Sequence, residues 1–213
     1  MRLLFCLIVF FPMVSSSSGL YLFDSKGNVS TLDNFLKDVN AGDVVLVGES
    51  HGYFPHHKVQ QSVIDKLIGK GVTTSVGIEH IAYPDQALLS AYLVGGISLT
   101  SFLNGIGWPY DPSMTCQLYT ESGGFLDFKV PMPFDCFRTQ LETAYSNGGF
   151  GLAVNLPRSI TGKIAKGGIV SLTPEEEALL PPKFEVGSDL YYDRFKEAIA
   201  GGGGHGPIDE DFL

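Results

Sequence analysis

The sequence contains few basic residues: 14 Lys and Arg stand against 23 Asp and Glu, a formal net charge of −9 at pH 7. Proteins that bind nucleic acid or anionic membranes need a basic face, so this balance disfavours both partners and favours a small ligand. Charged residues make up only 17% of the chain and hydrophobic residues 44%. That composition is typical of a folded globule, and the length of 213 residues predicts one domain, over residues 19–200.

Long hydrophobic runs are also missing, since none reaches the roughly 20 apolar residues that cross a bilayer. The longest run, Leu3 to Val14, follows Arg2 and precedes the small residues Ser15 to Ser18. This order predicts a signal peptide over residues 1–18 and a secreted or cell-envelope protein. The alternative is an uncleaved membrane anchor, which Pro12 and the short run disfavour.

Cysteine is scarce, with three residues, and Cys6 lies inside the predicted signal peptide. Cys116 and Cys136 bracket a Gly- and Pro-rich stretch that has neither a helical nor an alternating pattern. In an oxidising compartment we expect these two cysteines to be bonded, closing an insertion at about residues 111–137. Two free thiols are the alternative, because the sequence does not give the distance between their Cα atoms.

Three apolar runs predict strands, and each is followed by a helical pattern. The runs are Val44–Val47, Thr74–Glu79 and Phe150–Asn155. This alternation predicts an α/β fold, specifically a three-layer α/β/α arrangement with a mostly parallel sheet, and we expect Val44–Val47 to be buried on both faces. Residues 201–213 begin with four glycines and contain Asp209, Glu210 and Asp211, which predicts a flexible tail or a chain that stops before a last helix.

Two of the predicted strands end in a carboxylate and an imidazole. Glu49 and His51 follow the first strand, and Glu79 and His80 close the second. In an open parallel sheet the ligand crevice lies beyond the carboxyl ends of the strands, so we expect these side chains to share one cleft. A carboxylate at a buried strand end must be paired or hydrated, and such sites are often functional. Two separate structural ion pairs are the alternative.

Other polar residues follow the same strand ends. Asn155 ends the third strand, and Arg158 could pair with a ligand carboxylate. His57 lies at the start of the helix that follows the first strand. The sequence leaves open whether it binds the ligand or is a solvated residue. Tyr83 could supply a phenolate to haem iron or be an ordinary half-buried aromatic.

Several ordered motifs carry a resemblance to a known family. They are Val-Gly-Glu-Ser-His (47–51), Pro-His-His-Lys-Val-Gln (55–60), Gly-Ile-Glu (77–79), Asp-Gln (85–86), Ala-Tyr-Leu (91–93), Gly-Trp-Pro (107–109) and Ala-Val-Asn-Leu-Pro-Arg (153–158). In order and spacing they resemble the ChaN-like haem-binding lipoproteins, which are similar in turn to the erythromycin-esterase and Tiki/TraB proteins. The likeness covers roughly residues 42–110 and 138–185.

The resemblance implies an α/β/α fold, an envelope or secreted location, and binding of haem or iron, with two protomers pairing around haem. The positions that match are Glu49, His51, His57, Glu79, Gln86, Asn155 and Arg158. The chain departs at Gly52, usually acidic in the family, at His80, usually apolar, and in the cysteine-bracketed insertion. The family's haem-ligating tyrosine has no clear counterpart, and a usual further helix is missing, which leaves open whether the chain is a fragment.

We therefore expect a haem- or iron-binding protein of uptake or handling rather than an enzyme. Haem carries two propionates, for which Arg158, Lys58 and Lys163 are the candidate partners. The alternative is a metal-dependent hydrolase, esterase- or protease-like. In it His51, Glu49 and Glu79 would hold zinc or another divalent ion, and a carboxylate would act as general base. A third hypothesis is an inactive domain.

Overall fold

The computed structural model describes residues 3–7, 21–124, 131–181, 189–190 and 193. The strands are β1 (Leu3–Leu7), β2 (Leu22–Phe23), β3 (Val29–Ser30), β4 (Val44–Val47), β5 (Val76–Ala82) and β6 (Gly151–Asn155). The helices are α1 (Leu32–Leu36), α2 (Phe54–Gly69), α3 (Gln86–Leu93), α4 (Leu99–Gly105), α5 (Cys116–Glu121), α6 (Asp135–Ser146), α7 (Arg158–Gly167) and α8 (Pro174–Glu177).

The chain divides into two compact units. Unit 1 comprises Met1–Ile81 and Asp85–Val154, and unit 2 comprises Ala82–Pro84 and Asn155–Leu213. The predicted tail over residues 201–213 lies outside the described residues. Within the described part of the chain, no helix is both long and apolar enough to cross a bilayer.

The strands of the described residues form three pairs. β1 runs parallel to β4, β2 pairs antiparallel with β3, and β5 pairs with β6. The mixture of helices with a parallel strand pair confirms the predicted α/β class, whereas the three-layer arrangement stays a prediction. β1 lies within the predicted signal peptide, and residues 8–18 of that segment lie outside the described residues, so cleavage also stays a prediction.

The core of unit 1 forms where α3, α4 and α6 pack around β5. Each of these three helices contributes a stripe of apolar residues at helical spacing, as an amphipathic helix must to bury one face. Leu89, Phe102, Leu103 and Leu141 have no exposed surface. A second, smaller cluster joins α1 to α2 through Leu36, Val39, Val63 and Leu67. Together these clusters fix α2 and α6 beside β4 and β5.

The expectation that β4 is buried on both faces is wrong. Its residues alternate, with Val44 39% and Leu46 50% exposed while Val45 packs against the α1–α2 cluster. β6 alternates in the same way, with Leu152 and Val154 exposed and Ala153 buried. A continuous apolar run indicates burial on both faces, but the inward face is only half-buried in β4 and is buried at Gly151 and Ala153 in β6.

The predicted disulfide is confirmed. Cys116 and Cys136 are bonded, with Cα atoms 4.8 Å apart. The expectation of no helical structure between them is wrong for α5, which begins after Thr115, whose hydroxyl accepts a hydrogen bond from the Leu118 amide. Such N-caps favour a helix even where the apolar pattern is weak. Residues 125–130 of this insertion lie outside the described residues.

Unit 2 contains α7, α8 and the short turn at Tyr83. Ile160 of α7 is buried, and Lys163 forms an ion pair with Glu176 at 2.5 Å. Thr173 and Glu176 form a capping box at the start of α8, as the sequence Thr-Pro-Glu-Glu predicts. The Tyr83 hydroxyl donates a hydrogen bond to the Leu179 carbonyl.

Candidate functional site

Glu49 is the centre of the polar cluster that follows β4. Its carboxylate is only 9% exposed. Oε1 lies 3.0 Å from Nδ1 of His51, and Oε2 accepts a hydrogen bond of 2.9 Å from Nε2 of Gln60. Nδ1 of His57 lies 3.4 Å from the same Oε2. The first strand end therefore brings one carboxylate against two imidazoles and an amide, as the sequence predicts for Glu49 and His51.

A tight turn positions this carboxylate. Gly52 has a φ of +70°, a backbone conformation that glycine adopts without the steric cost of a Cβ. The Thr120 hydroxyl of α5 donates to the Gly52 carbonyl at 2.8 Å and accepts from the Phe54 amide at 3.1 Å. The disulfide-bonded insertion thus holds the turn that carries Glu49.

The charges around Glu49 favour its ionised form. Burial raises the pKa of Glu49, but hydrogen bonds from His51 and Gln60 and the positive charge of His57 together bring it below the usual range. A carboxylate that accepts several hydrogen bonds is stabilised as the anion. Glu49 therefore stays negatively charged at neutral pH, as a metal ligand or an orienting partner for an imidazole must.

His51 and His80 lie edge to face, with ring centroids 4.6 Å apart. The hydrogen bond to Glu49 raises the pKa of His51, whose side chain is 56% exposed. Burial lowers the pKa of His80, which stacks on Phe137 at 4.6 Å, and the neighbouring charge of His51 lowers it further. The Glu49 carboxylate therefore stabilises the protonated form of the imidazole at the rim, and burial disfavours protonation of the inner imidazole.

Glu49, His51 and His80 together could hold a metal ion, because their ligand atoms all lie within 4.8 Å of one another. The sequence predicts Glu79 as the third ligand of this set. Glu79 lines the same cavity but is exposed, and alternation along β5 puts it on the strand face opposite to His80. The geometry brings His80 into the cluster, and a ligand role of Glu79 stays a prediction.

A layer of amides supports the cluster from behind. Gln140 of α6 is 4% exposed, and its Nε2 donates to Oε1 of Gln60 at 2.9 Å. Nδ1 of His57 lies 3.1 Å from that same oxygen. Because Gln60 also donates to Glu49, this network fixes the orientation of the carboxylate, as groups that hydrogen-bond to the ligands do in metal sites.

The cluster lies at one end of a cavity of about 510 Å³, which we call the β4–β5 cleft. In the described residues β4 pairs only with β1 and β5 only with β6, so the two strands leave space between them. The apolar side chains that line the cleft include Val45, Val47, Val63, Ile64, Leu67 and Ile78. An apolar cavity of a few hundred Å³ with convergent polar groups is typical of a small-molecule site.

Comparison with known protein families gives a match over most of the chain. Residues 35–212 match the family described as haem-binding uptake, Tiki superfamily, ChaN. The chain belongs to this ChaN family. No curated protein and no solved structure matches the chain. The predicted resemblance is confirmed, and the family description favours haem binding over the hydrolase alternative.

Three residues predicted for the site of this ChaN family member lie in unit 2. The Asn155 side-chain oxygen accepts a hydrogen bond from the Leu156 amide at 2.9 Å. Arg158 lines a separate cavity of about 470 Å³ together with Lys163 and Lys166. The Tyr83 hydroxyl is engaged by the Leu179 carbonyl. Ligand-binding roles for these three residues stay predictions.

Two other family-matched positions take distinct places in unit 1. His57 is 4% exposed and lies directly behind Glu49. Gln86 donates to the Gly151 carbonyl at 3.0 Å and accepts from the Ala153 amide at 2.8 Å. Gln86 therefore attaches α3 to the backbone of β6, which gives this position a structural role.

Sequence reasoning missed three residues that shape the cleft of this ChaN protein. Gln60 lies three residues after His57 on α2, a spacing that places both on one helix face, so periodicity could have found it. Gln140 and Phe137 lie on α6, about 80 residues later in the chain. Only the tertiary packing of α2 against α6 brings them to the site, and no local signal marks them.

Proposed function

We propose that this protein binds haem in the β4–β5 cleft, in a role of haem uptake or handling. The observation that carries the proposal is the pair of imidazoles, His51 and His80, at the end of an apolar cavity in a chain of the haem-binding ChaN family. Imidazole is a common axial ligand of haem iron. Apolar side chains along the cavity suit the faces of a porphyrin, because burial of apolar surface favours binding.

His51 is the proposed axial ligand. Nδ1 donates to the Glu49 carboxylate, so in the neutral ring the lone pair is on Nε2 and is free to bind iron. A carboxylate behind a ligating histidine fixes its tautomer and raises its basicity. The haem iron would supply a coordination position, and Glu49 would orient the imidazole that fills it.

His80 and the aromatic residues beside it are proposed to form the inner wall. His80 stacks on Phe137, and Trp108 lies 6.1 Å from the His80 ring. A flat aromatic surface of this kind favours a planar ligand. Lys58 of α2 remains the proposed partner of a propionate, whose charge an acidic protein must offset.

The proposed location is the cell envelope or the extracellular space. Its support is the N-terminal order of Arg2, an apolar run and four serines, together with the uptake role in the family description. A homodimer around haem is part of the same proposal. Size-exclusion chromatography with and without haem tests it, and a monomer in both states would reject the dimer alone.

A haem titration followed by the Soret band tests the binding proposal. Wild-type protein should give a saturable shift. His51→Ala and His80→Ala should each weaken binding by about tenfold or more, because lost ligands and their supports commonly cost that much affinity. Lys26→Ala is the control, because Lys26 is exposed and does not line the cleft, and it should bind as wild type does.

Binding of zinc in place of haem is the result that would contradict the proposal. The cluster of Glu49, His51 and His80 offers the mixed imidazole and carboxylate donors that suit zinc. If the folded protein gives no Soret shift but binds one zinc ion that His51→Ala releases, the haem proposal is wrong. The metal-site alternative would then stand.

A further inference from the structure

A second group of potential ligands lies behind the cleft, in the core of unit 1. His57, Cys116 and Cys136 come from α2, α5 and α6, and each is at most 4% exposed. Their ligand atoms all lie within 4.8 Å of one another. The two sulfurs are bonded to each other, so in this oxidised state they are not thiolates and the group is a latent site.

The hydrogen bonds of His57 determine its tautomer. Gln60 donates through Nε2 to Glu49, so its Oε1 is an acceptor, and Gln140 already donates to that oxygen. Nδ1 of His57 lies 3.1 Å from the same Oε1 and must therefore carry a proton. In the neutral ring the lone pair is then on Nε2.

Nε2 of His57 is buried and, among the residues that the structure describes, has no hydrogen-bond partner. A buried polar atom without a partner costs free energy, and in native structures it calls for an explanation such as an unseen ligand. Histidines that bind metals characteristically donate their other ring N–H to a carboxylate or carbonyl oxygen. His57 has this arrangement, with its free nitrogen in the core.

We propose that reduction of the Cys116–Cys136 bond creates a buried zinc site made of two thiolates and Nε2 of His57. Two molecules of a small thiol supply two electrons and two protons; the protein S–S bond breaks and the thiol is oxidised to its own disulfide. Zinc then displaces one proton from each cysteine thiol. Two cysteines and one histidine are an established zinc ligand set, and water takes the fourth position.

The backbone is compatible with this change. At a Zn–S distance of about 2.3 Å, tetrahedral geometry separates the two sulfurs by about 3.8 Å. The Cα atoms of the cysteines are 4.8 Å apart, and both cysteines lie in the first turns of their helices. Rotation of the side chains therefore accommodates the metal. The protein would hold zinc only when reduced and release it when the disulfide reforms.

Cobalt(II) is the probe for this site, because thiolate–cobalt bonds give an intense near-ultraviolet charge-transfer band that imidazole and carboxylate do not give. The full chain carries Cys6→Ser, which leaves two thiols, and is reduced with a phosphine, which becomes the phosphine oxide. The reduced protein should bind one cobalt ion per chain with this band, and zinc should displace it. The oxidised protein should show no band.

Variants separate this site from the cluster in the cleft. Cys116→Ser and Cys136→Ser should each abolish the band of two thiolates, and His57→Ala should weaken cobalt binding by about tenfold or more. The double variant His51→Ala/His80→Ala should keep the band and affinity unchanged, because those imidazoles belong to the other cluster. No haem is present, so the result is independent of the proposed function.

Three results would overturn the proposal. The first is no charge-transfer band in reduced protein that circular dichroism shows to be folded. The second is a reduced protein that stays unfolded when cobalt is added, since a preformed site requires the native core. The third is unchanged cobalt affinity in His57→Ala. If that variant does not fold, Cys136→Ser takes its place, and a two-thiolate band that persists in Cys136→Ser would overturn the proposal.

Discussion

At the scale of single residues, one buried carboxylate sets the properties of the candidate site. Glu49 contacts His51 at 3.0 Å and His57 at 3.4 Å, yet the two imidazoles respond differently. The hydrogen bond to Glu49 raises the pKa of half-exposed His51, whereas burial lowers the pKa of His57. The anion therefore stabilises protonation of the ring at the rim, whereas burial disfavours protonation of the ring in the core.

Glu49→Gln should lower the pKa of His51, because the amide removes the charge and the ionic hydrogen bond that stabilise the imidazolium. In the wild type this pKa lies above the unfolded value of about 6.5, so its contribution to stability is full below that pH and is lost as pH rises through the folded pKa. In Glu49→Gln that loss on raising the pH should vanish. Histidine NMR titration measures the pKa, and denaturation at several pH values measures stability.

Glu121→Gln is the control for this change, since its exposed carboxylate accepts a hydrogen bond from Gln117 on the same helix and does not line the cleft. The pKa of His51 should not move in this variant. An unchanged His51 pKa in Glu49→Gln would show that the 3.0 Å contact does not control the titration of the site.

Sequence reasoning could predict this centre but not its surroundings. Glu49 and His51 follow an apolar strand, and the strand-end rule is enough to nominate them. For His80 the strand-end rule is not enough, because alternation on a strand gives the two faces without saying which one the helices cover. That choice depends on Phe137, which packs against His80 from a distant helix.

At the scale of helices and strands, the disulfide links the two ends of the insertion covalently. It joins the start of α5 to the start of α6 across a separation of 20 residues. Closing a loop of that size stabilises a fold by about 3 kcal/mol, chiefly by restricting the unfolded chain. Since α5 also holds the turn before α2 through Thr120, the effect reaches the candidate site.

Reduction should therefore lower the free energy of unfolding by about 3 kcal/mol. The measurement is urea denaturation of oxidised and phosphine-reduced protein, both with a chelator so that no metal stabilises the reduced form. Cys116→Ala/Cys136→Ala is the control and should not respond to phosphine. Equal stability of oxidised and reduced wild type would contradict a stabilising role of the bond.

The approach of β6 to the chain before β5 depends on a glycine. A Cβ built on Gly149 would lie 1.9 Å from the Thr74 carbonyl oxygen. Gly149→Ala should therefore destabilise the protein by about 1–3 kcal/mol through overpacking. Gly162 is the matched control, in the middle of α7 with no atom within 4 Å of a Cβ.

Gly162→Ala should instead be neutral or raise stability by up to about 1 kcal/mol, because alanine is the better helix former. Thermal unfolding of both variants gives the comparison. A Gly149→Ala variant as stable as the wild type would mean that β6 does not approach Thr74 as closely as the structure has it.

Local pattern predicted the main helices and strands well and their burial less well. Pro55 in the first turn and the stripe of Val59, Val63 and Leu67 were enough to predict α2. The prediction that β4 is buried on both faces was wrong, because an apolar run does not reveal whether a second layer covers the strand. α5 was missed because its N-cap, Thr115, precedes a helix of only six residues.

At the scale of the whole molecule, the proposed function rests on an ordered set of motifs rather than on composition. A net charge of −9 disfavours nucleic acid and anionic surfaces as partners but does not identify a ligand. The motifs over residues 47–60 and 77–79 converge on the β4–β5 cleft, and the family match over residues 35–212 names haem as the ligand class. The sequence could not predict the size of that cavity, because it depends on β4 and β5 not pairing with each other.

The central claim is that an imidazole of the β4–β5 cleft ligates haem iron, and electron paramagnetic resonance of the ferric complex tests it most directly. Wild-type protein saturated with haem should give a spectrum characteristic of axial nitrogen ligation. His51→Ala should lose that spectrum while the protein remains folded. A phenolate-type spectrum in the wild type, or nitrogen ligation that persists unchanged in His51→Ala, would contradict the account.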